Sequence, residues 1–484
     1  MKACIGSARS LRIGLLASLF ALGGCASFSP DRGMSAVEEF GGAPLGKEVL
    51  AIRSEDDATA ARATVDRLLA RRLSADDAVQ IALLNNRELQ AAYNELGISE
   101  AQMVQASLPP NPTFTIERIA GAGSLEIEAR IIGSILSLLT LPTKAKIAAD
   151  RFRQAQLKAA ETTLRVATEA RRDYYRAISA AVIAGFLVQS QSATQAATEL
   201  SKELGEAGTM NKLDQARNLV FFAELTAQLA HARQLASTER ERLTRVMGLW
   251  GSDTAFKLPT SLPRVPARPN AQPDIERAAV ARRLDLQIAR MEVQALATSF
   301  DLTNATRFVS VLDLSGIKKR VRATNDEGVA EVEKERGIEI ELQIPIFDLG
   351  TSKVRQAEES YMQAVNRLAA KAVNVRSEAR DAYRTYRAAY DIARHYQREV
   401  LPLRKIISDE TLLRYNAMQV DVFTLLTEAR LRIAATTSAI EAERAFWLAA
   451  TNLGAAVLGG GGAGGGEGES KGPSVAAADG SGGH

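Results

Sequence analysis

The segment from Gly337 to Phe347 predicts a strand, and from Ile338 to Ile344 it alternates strictly between apolar and polar side chains. One face of an extended chain would carry Ile338, Ile340, Leu342 and Ile344, and the other would carry Glu339, Glu341 and Gln343. A strand with one charged face is not buried on both sides, so we predict that one face meets water and the other an apolar environment. Pro345 lacks the N–H of a sheet ladder, and the residues from Phe347 to Gly350 are typical of a turn.

Three other stretches predict strands, namely Thr113 to Ile119, Leu125 to Ile131 and Phe308 to Leu314. The second of these also alternates, with Glu126, Glu128 and Arg130 between apolar residues. Nothing else in the chain has a composition suited to cover the apolar faces of these strands. We therefore favour a membrane sheet over the alternative, a soluble β-sandwich.

Long helices account for most of the remaining chain. After Val354, apolar residues recur in steps of three and four from Tyr361 to Ile407, which is the seam of a coiled coil. A helix of some sixty residues would be ~90 Å long. Pro402 is expected to kink or interrupt it. A second long helix is predicted from Pro142 to about Leu204.

The order of these elements occurs twice along the chain. The segment Ala207 to Leu213, for example, corresponds to Ala417 to Phe423. We predict a tandem repeat, with residues 74–250 and 274–457 as its two copies and the proline-rich residues 251–273 as an irregular linker. Residues 458–484 are glycine-rich and predicted to be disordered.

The N-terminus has the pattern of a secretory signal. Three basic residues precede an apolar run from Ile13 to Leu22, which is too short to span a bilayer as a helix. The run ends in Leu22-Gly23-Gly24-Cys25, which resembles a bacterial lipobox. We predict that residues 1–24 are removed and that Cys25 is lipidated; the alternative is an ordinary signal peptide. Residues 25–73 would form a surface segment with one short helix near Ala58 to Ala70.

Composition excludes several functions. The chain has 60 Lys and Arg residues against 57 Asp and Glu residues, so no basic excess points to nucleic acid. The three histidines are isolated and the eight methionines do not cluster, which gives no support for a metal site. No nucleophile motif or phosphate-binding glycine loop is present, so we expect no enzyme activity, catalytic residues or cofactor.

From Ser74 to Gly454 the chain resembles the TolC-type outer-membrane efflux proteins, and with Cys25 their lipid-bearing members. The resemblance rests on the segments SADDAVQIALLNNRELQAA, LPPNP, IPIFDLGTSKVRQA, EAGTMNKLDQAR and RYNAMQVDVFTLLTEAR, and on Met247-Gly248 and Leu453-Gly454 near the end of each half. No single segment is decisive, but their order, spacing and duplication together are specific.

The resemblance implies a mostly α-helical protein with a membrane β-barrel. Three chains would close one twelve-stranded barrel in the bacterial outer membrane, with four strands each and a long periplasmic α-helical barrel below. The trimer would be the passive exit duct of a tripartite efflux system, with an inner-membrane pump and a periplasmic adaptor as partners. On this interpretation the residues lining the pore are Glu126, Glu128, Arg130, Glu339, Glu341 and Gln343.

The resemblance also places the adaptor at the turns between the long helices. These adaptor-contact tips are Ala207, Gly208, Thr209, Met210 and Asn211 in the first copy, and Ala417, Met418, Gln419 and Val420 in the second. Met418 stands where relatives have glycine. Asp214 matches an acidic ring at the periplasmic gate, but the second copy has Thr424 instead. The alternative for Asp214 is an ordinary solvated charge.

Two other functional classes remain open at this stage. The first is a structural coiled-coil envelope lipoprotein that does not conduct, and the strands argue against it. The second is a periplasmic enzyme, for which no constellation of residues gives support. The transported substrate, whether drug, metal ion or protein, is not indicated by the sequence.

Overall fold

The computed structural model describes residues 28–121, 124–324, 330–459 and 461. Cys25, the signal sequence and nearly all of the glycine-rich tail lie outside these residues. The helices are α1 Met34–Val37, α2 Glu55–Leu69, α3 Ala75–Asn85, α4 Arg87–Ser107, α5 Ile135–Glu206, α6 Lys212–Val246, α7 Ile275–Arg282, α8 Leu284–Ala305, α9 Thr351–His395, α10 Leu401–Asn416 and α11 Val422–Leu458. The strands are β1 Thr113–Gly121, β2 Ser124–Ser134, β3 Val311–Thr324 and β4 Ala330–Gln343.

The same order of elements occurs in both halves of the chain: two consecutive helices, two strands, a long helix and a returning helix. The helical segment that follows Ser74 is interrupted at Asn86, whose ψ of 118° is extended. Arg283 interrupts the corresponding helix of the second half with a ψ of 123°. The Asn86 side chain then accepts a hydrogen bond from the Leu89 N–H and caps α4.

The four strands form one antiparallel sheet in the order β1-β2-β3-β4. All four predicted strands exist, but β3 and β4 are longer and differently bounded than predicted. β3 begins at Val311 rather than Phe308, and β4 begins at Ala330 rather than Gly337. The added residues are mostly Lys, Arg and Glu, so both faces are charged there and the apolar alternation disappears.

The seam of α9 is followed by a π-helical turn from Tyr396 to Val400, which ends two positions before Pro402. A π-turn contains one extra residue, so it rotates the buried stripe by one position. Predicted seam residues such as Ala379 and Ala393 are buried before the turn, whereas Leu403 and Ile407 are exposed after it. The stripe that faces α11 instead includes Arg404, Ser408 and Thr411, with Arg404 paired to Glu428 at 3.3 Å and Ser408 bonded to Arg432 at 3.1 Å.

The α5 helix begins at Ile135, so Pro142 lies inside its third turn and not before its start. The linker 251–273 is irregular apart from a short 3-10 turn at Gly251–Ala255, but it is firmly held. Trp447 Nε1 donates to the Pro263 carbonyl (2.9 Å), and the Tyr390 hydroxyl donates to the Ala267 carbonyl (2.8 Å). The linker therefore lies against both α9 and α11 and connects them through these hydrogen bonds.

A buried ion cluster fixes the junction of α7, α8 and α9. Arg283 is only 5% exposed and donates to both carboxylate oxygens of Asp285, at 3.0 and 2.9 Å, and to Glu378 at 2.5 Å. Burial alone would raise the pKa of Asp285, but the hydrogen bonds and charge of Arg283 outweigh it and lower that pKa.

The described chain starts as a segment that lies against α3 and α4. The Ser29 N–H and hydroxyl both donate to the buried Glu100 carboxylate, at 2.7 and 2.5 Å. Further along, Gln90 accepts from the Ile52 N–H and donates to the Leu50 carbonyl, both at 2.9 Å. The predicted short helix is α2, which a capping box at Ser54 starts three residues earlier than expected.

Candidate functional site

The strand register sorts the charges of the sheet onto one face. Glu128 lies opposite Lys319, and Lys319 lies opposite Glu335. Asp313 lies opposite Glu341 in the same way. All six residues predicted to line the pore share this face, which we call the charged face. Its ionisable side chains are Glu117, Glu126, Glu128, Arg130, Asp313, Lys319, Glu331, Glu333, Glu335, Glu339 and Glu341.

Ion pairs connect three strands across the charged face. Arg130 of β2 contacts Glu128 at 2.9 Å and reaches over β3 to Glu339 of β4 at 3.2 Å. Lys319 of β3 pairs with Glu126 of β2 at 2.5 Å. Acidic groups nevertheless far outnumber basic ones on this face, so its electrostatic potential attracts cations.

The opposite face is apolar near the helices, and we call it the apolar face. Its exposed large side chains include Phe114, Ile116, Ile131, Leu314, Ile338, Ile340 and Leu342. Ile338 is 80% exposed, and Phe347 at the strand–helix junction is 99% exposed. A continuous exposed apolar surface of this kind indicates contact with a membrane or another protein.

The sheet ends in two edges within the described chain. β1 pairs with β2, and β4 pairs with β3, so the outer side of each strand presents unpaired N–H and C=O groups. Such edges cannot face lipid, because the bilayer core offers no hydrogen-bond partners. A sheet with this apolar face and these edges can enter a membrane only by closing with other strands.

The first of the two turns between long helices connects α5 to α6 and ends α5 with a Schellman motif. The Thr209 N–H donates to the Leu204 carbonyl (2.9 Å) and the Gly208 N–H to the Gly205 carbonyl (3.0 Å). Gly208 has a φ of 74°, in the left-handed region where glycine is favoured. Asn211 then caps α6 by accepting from the Asp214 N–H at 2.8 Å.

The second turn has the same geometry with a different residue. The Gln419 N–H donates to the Arg414 carbonyl and the Met418 N–H to the Tyr415 carbonyl, both at 2.9 Å. Met418 has a φ of 59° and is 94% exposed, so it occupies the left-handed position at some strain and without packing contacts. The two turns are therefore alike despite the missing glycine.

The predicted gate residues, Asp214 and Thr424, each form hydrogen bonds or ion pairs with residues close to them in sequence. Asp214 contacts Asn211 at 2.7 Å and Arg217 at 3.2 Å. Thr424 donates to the Asp421 carboxylate, and the hydrogen bonds from Thr424 lower the pKa of Asp421. Asp421 is the N-cap of α11 and corresponds to Asn211 in the first copy.

Two arginines connect the returning helices α6 and α11 just above the turns. The Arg217 guanidinium lies 4.6 Å from the centre of the Phe423 ring. Arg430 lies 4.9 Å from the Phe221 ring and pairs with Glu224 at 3.1 Å. These contacts line a groove of about 350 Å³. Sequence reasoning missed them, although Arg217 and Phe423 lie within the two quoted tip segments.

Among the described residues, no group of three or more His, Cys, Asp or Glu side chains could hold a metal ion. The charged face and the two turns are therefore the features on which a functional interpretation can be based.

Solved structures with this fold are outer-membrane channels. The chain superposes on the Campylobacter jejuni CmeC outer-membrane channel with a TM-score of 0.66 and 14% identity, over 80% of this chain and 86% of that one. The outer-membrane protein VceC of Vibrio cholerae matches with a TM-score of 0.66 and 12% identity, over 79% and 96%. The open-state MtrE channel of Neisseria gonorrhoeae matches with a TM-score of 0.62 and 14% identity, over 79% and 88%.

No protein-family model and no curated protein sequence matches the chain. At these low identities the likeness shows the fold alone. The chain has the fold of the bacterial outer-membrane efflux channels, and the TolC-type fold expected from the sequence is confirmed.

Proposed function

We propose that three copies of this chain form the outer-membrane exit duct of a tripartite efflux system. Each copy contributes its four strands to one closed barrel, with the charged face towards a water-filled lumen and the apolar face towards lipid. The helices continue the lumen into the periplasm. An adaptor and an inner-membrane pump deliver the substrate, and the duct conducts it passively.

The observation that carries this proposal is the sheet of four strands with one exposed apolar face, one charged face and two open edges. Four strands cannot close a barrel alone, whereas three copies remove every edge. The chain also leaves the sheet for a long helix twice, passing directly from β2 into α5 and through a short turn from β4 into α9. A spacer without channel activity has no use for such a sheet.

The purified protein is expected to run as an SDS-resistant trimer that dissociates on heating, because the inter-chain strand pairs are protected in the barrel. Inserted into planar bilayers, it should conduct with a preference for cations, since the lumen is rich in carboxylates. Single-channel recording with a KCl gradient measures both properties. An SDS-sensitive protein without conductance would favour the alternative, a structural coiled-coil lipoprotein.

The turns at Gly208 and Met418 are proposed as the docking site of the adaptor. They lie at the ends of the helices farthest from the sheet, which suits contact with a periplasmic partner. The exposed apolar residues Leu403, Ile406 and Leu413 of α10 lie close to the second turn in sequence. The π-turn rotates Leu403 out of the seam with α11, and all three side chains are exposed, so they remain available to a neighbouring chain or to the adaptor.

Lipidation of Cys25 is a further part of the proposal. This part rests on Leu22-Gly23-Gly24-Cys25, which resembles a bacterial lipobox. Cys25→Ser is expected to abolish labelling of the protein by a radioactive fatty acid, with conduction partly retained because the barrel itself anchors the trimer. Labelling that persists in this variant would refute lipidation at Cys25.

A further inference from the structure

The apolar face changes character halfway along the strands. Along β3, Leu312, Leu314 and Gly316 are followed on the same face by Lys318, Arg320 and Arg322. Along β4, from the helical end, Leu342, Ile340 and Ile338 are followed by Arg336 and Lys334. On β3 and β4 the apolar part is thus nearest the helices, and basic residues replace it towards the other end, where β2 carries Leu125 and Ile127 on the same face.

The strand register brings these basic residues together. Lys318 lies directly opposite Arg336, and Arg320 lies opposite Lys334. On the other side of β3, Arg320 lies opposite Ile127, which is in turn opposite Arg118 of β1. We call the whole set the basic band, and its exposed members are Arg118, Lys318, Arg320, Arg322, Lys334 and Arg336.

Within the described strands, the basic band has no acidic counterpart on its own face. In the described parts of the four strands, every Asp and Glu falls on the charged face, and so do the ion pairs of Lys319 and Arg130. No ion pair within the described residues involves a member of the band. Like charges directly opposite each other in neighbouring strands are destabilising. An external anion that lies against this face would remove that repulsion.

We propose that the basic band binds the phosphate groups of lipids in the outer leaflet of the outer membrane. The inference rests on the proposed barrel, in which this face points outwards and the helices lie on the periplasmic side. From Ile338 to Ile344 the apolar part extends ~20 Å along the strand, and the basic band begins where it ends. The band then lies at the membrane surface opposite the periplasm.

A lipid fits this surface better than a soluble anion does. Its acyl chains can cover the apolar part while its phosphate meets the band, so one ligand satisfies both halves of the face. Arginine presents a planar fork of donors that suits phosphate oxygens, and four of the six members are arginines. Three copies in one barrel would continue the band as a girdle around it.

The experiment measures binding of diphosphorylated lipid A to the purified trimer in a neutral detergent, by native mass spectrometry at increasing lipid concentration. The test variant combines Lys318→Gln with Arg320→Gln. The matched control is Lys319→Gln, which lies between them but on the charged face. Each basic residue near an anionic surface contributes about a fivefold change in affinity, so the double variant should bind more than tenfold more weakly. The control should bind like the unmodified protein.

Two further arms identify the ligand. Lipid A without its phosphates should bind all three proteins equally weakly, and inorganic phosphate at the same concentration should not compete. Competition by inorganic phosphate, or equal binding of diphosphorylated lipid A to the three proteins, would overturn the inference.

Conductance in phosphatidylcholine bilayers is recorded for the same samples. Normal conductance with equal lipid binding overturns this inference alone. Absence of trimers and of conductance in the unmodified protein overturns the proposed duct and this inference with it.

Discussion

Replacement of Ile340 by arginine is expected to prevent assembly of the trimer, whereas replacement of the adjacent Glu341 by arginine should leave the trimer intact. Ile340 lies opposite Leu314 on the apolar face, so an arginine there would face lipid. That placement costs about 2–4 kcal/mol for each chain near the bilayer midplane, and three chains carry it. Glu341 lies opposite Asp313 on the charged face, where a new arginine meets a carboxylate and water.

The Glu341→Arg trimer should also conduct differently. It exchanges a negative for a positive charge in every chain, so the preference for cations should decrease or reverse. The measurements are the fraction of SDS-resistant trimer in outer-membrane extracts and the reversal potential in a KCl gradient. Ile340→Leu and Glu341→Gln serve as controls without a new charge. If the two arginine variants assembled equally well, the assignment of the faces to lipid and lumen would be wrong.

The strands show how far the sequence alone can predict this fold. Period-two alternation is visible only where one face is apolar and the other polar, as from Leu125 to Ile131 and from Ile338 to Ile344. Between Lys318 and Arg336 both faces carry charges, so the pattern disappears although the strands continue. The parts of β3 and β4 that were missed are therefore the parts that carry the basic band.

The helical seam was predicted correctly up to the π-turn and wrongly after it. Steps of three and four assume 3.6 residues per turn throughout, and Pro402 indicates that the helix is disturbed but not by how many residues. One extra residue exposes Leu403 and Ile407 and turns Thr411 inwards. The stretch nearest the second turn is consequently where sequence reasoning assigned buried and exposed residues least well.

The first turn was located from its glycine and the second from the repeat, but their internal hydrogen bonds were not predicted. Asn211 and Asp421 are both N-caps, and a polar residue directly before the first helical residue is a recognisable signal in each case. The cross-connection of Arg217 with Phe423 is different in kind. It joins residues of separate repeats, and only the folded structure brings them within reach.

Replacement of Gly208 by valine is expected to abolish adaptor docking and efflux while the trimer stays in the outer membrane. Gly208 has a φ of 74°, and a β-branched residue resists this region by at least 1–2 kcal/mol. The sheet and the helical ends next to it lie far from the turn and should fold without it. Adaptor docking is measured by crosslinking of a cysteine at position 209 to the adaptor. Trimer abundance measures retention in the outer membrane, and the susceptibility of cells to the substrate measures efflux.

Met418 and Gly46 provide the matched controls. Met418→Val should be milder than Gly208→Val, because methionine at a φ of 59° already bears most of the left-handed strain. Met418→Gly should relieve that strain and stabilise the turn by about 1 kcal/mol. Gly46 has a φ of 60° in open space in the N-terminal segment, so Gly46→Val introduces the same strain away from the turns and should leave efflux unchanged. Normal crosslinking and efflux in Gly208→Val would show that the first turn does not dock the adaptor. Loss of efflux in Gly46→Val would mean that strain at any left-handed glycine abolishes efflux, wherever the glycine lies.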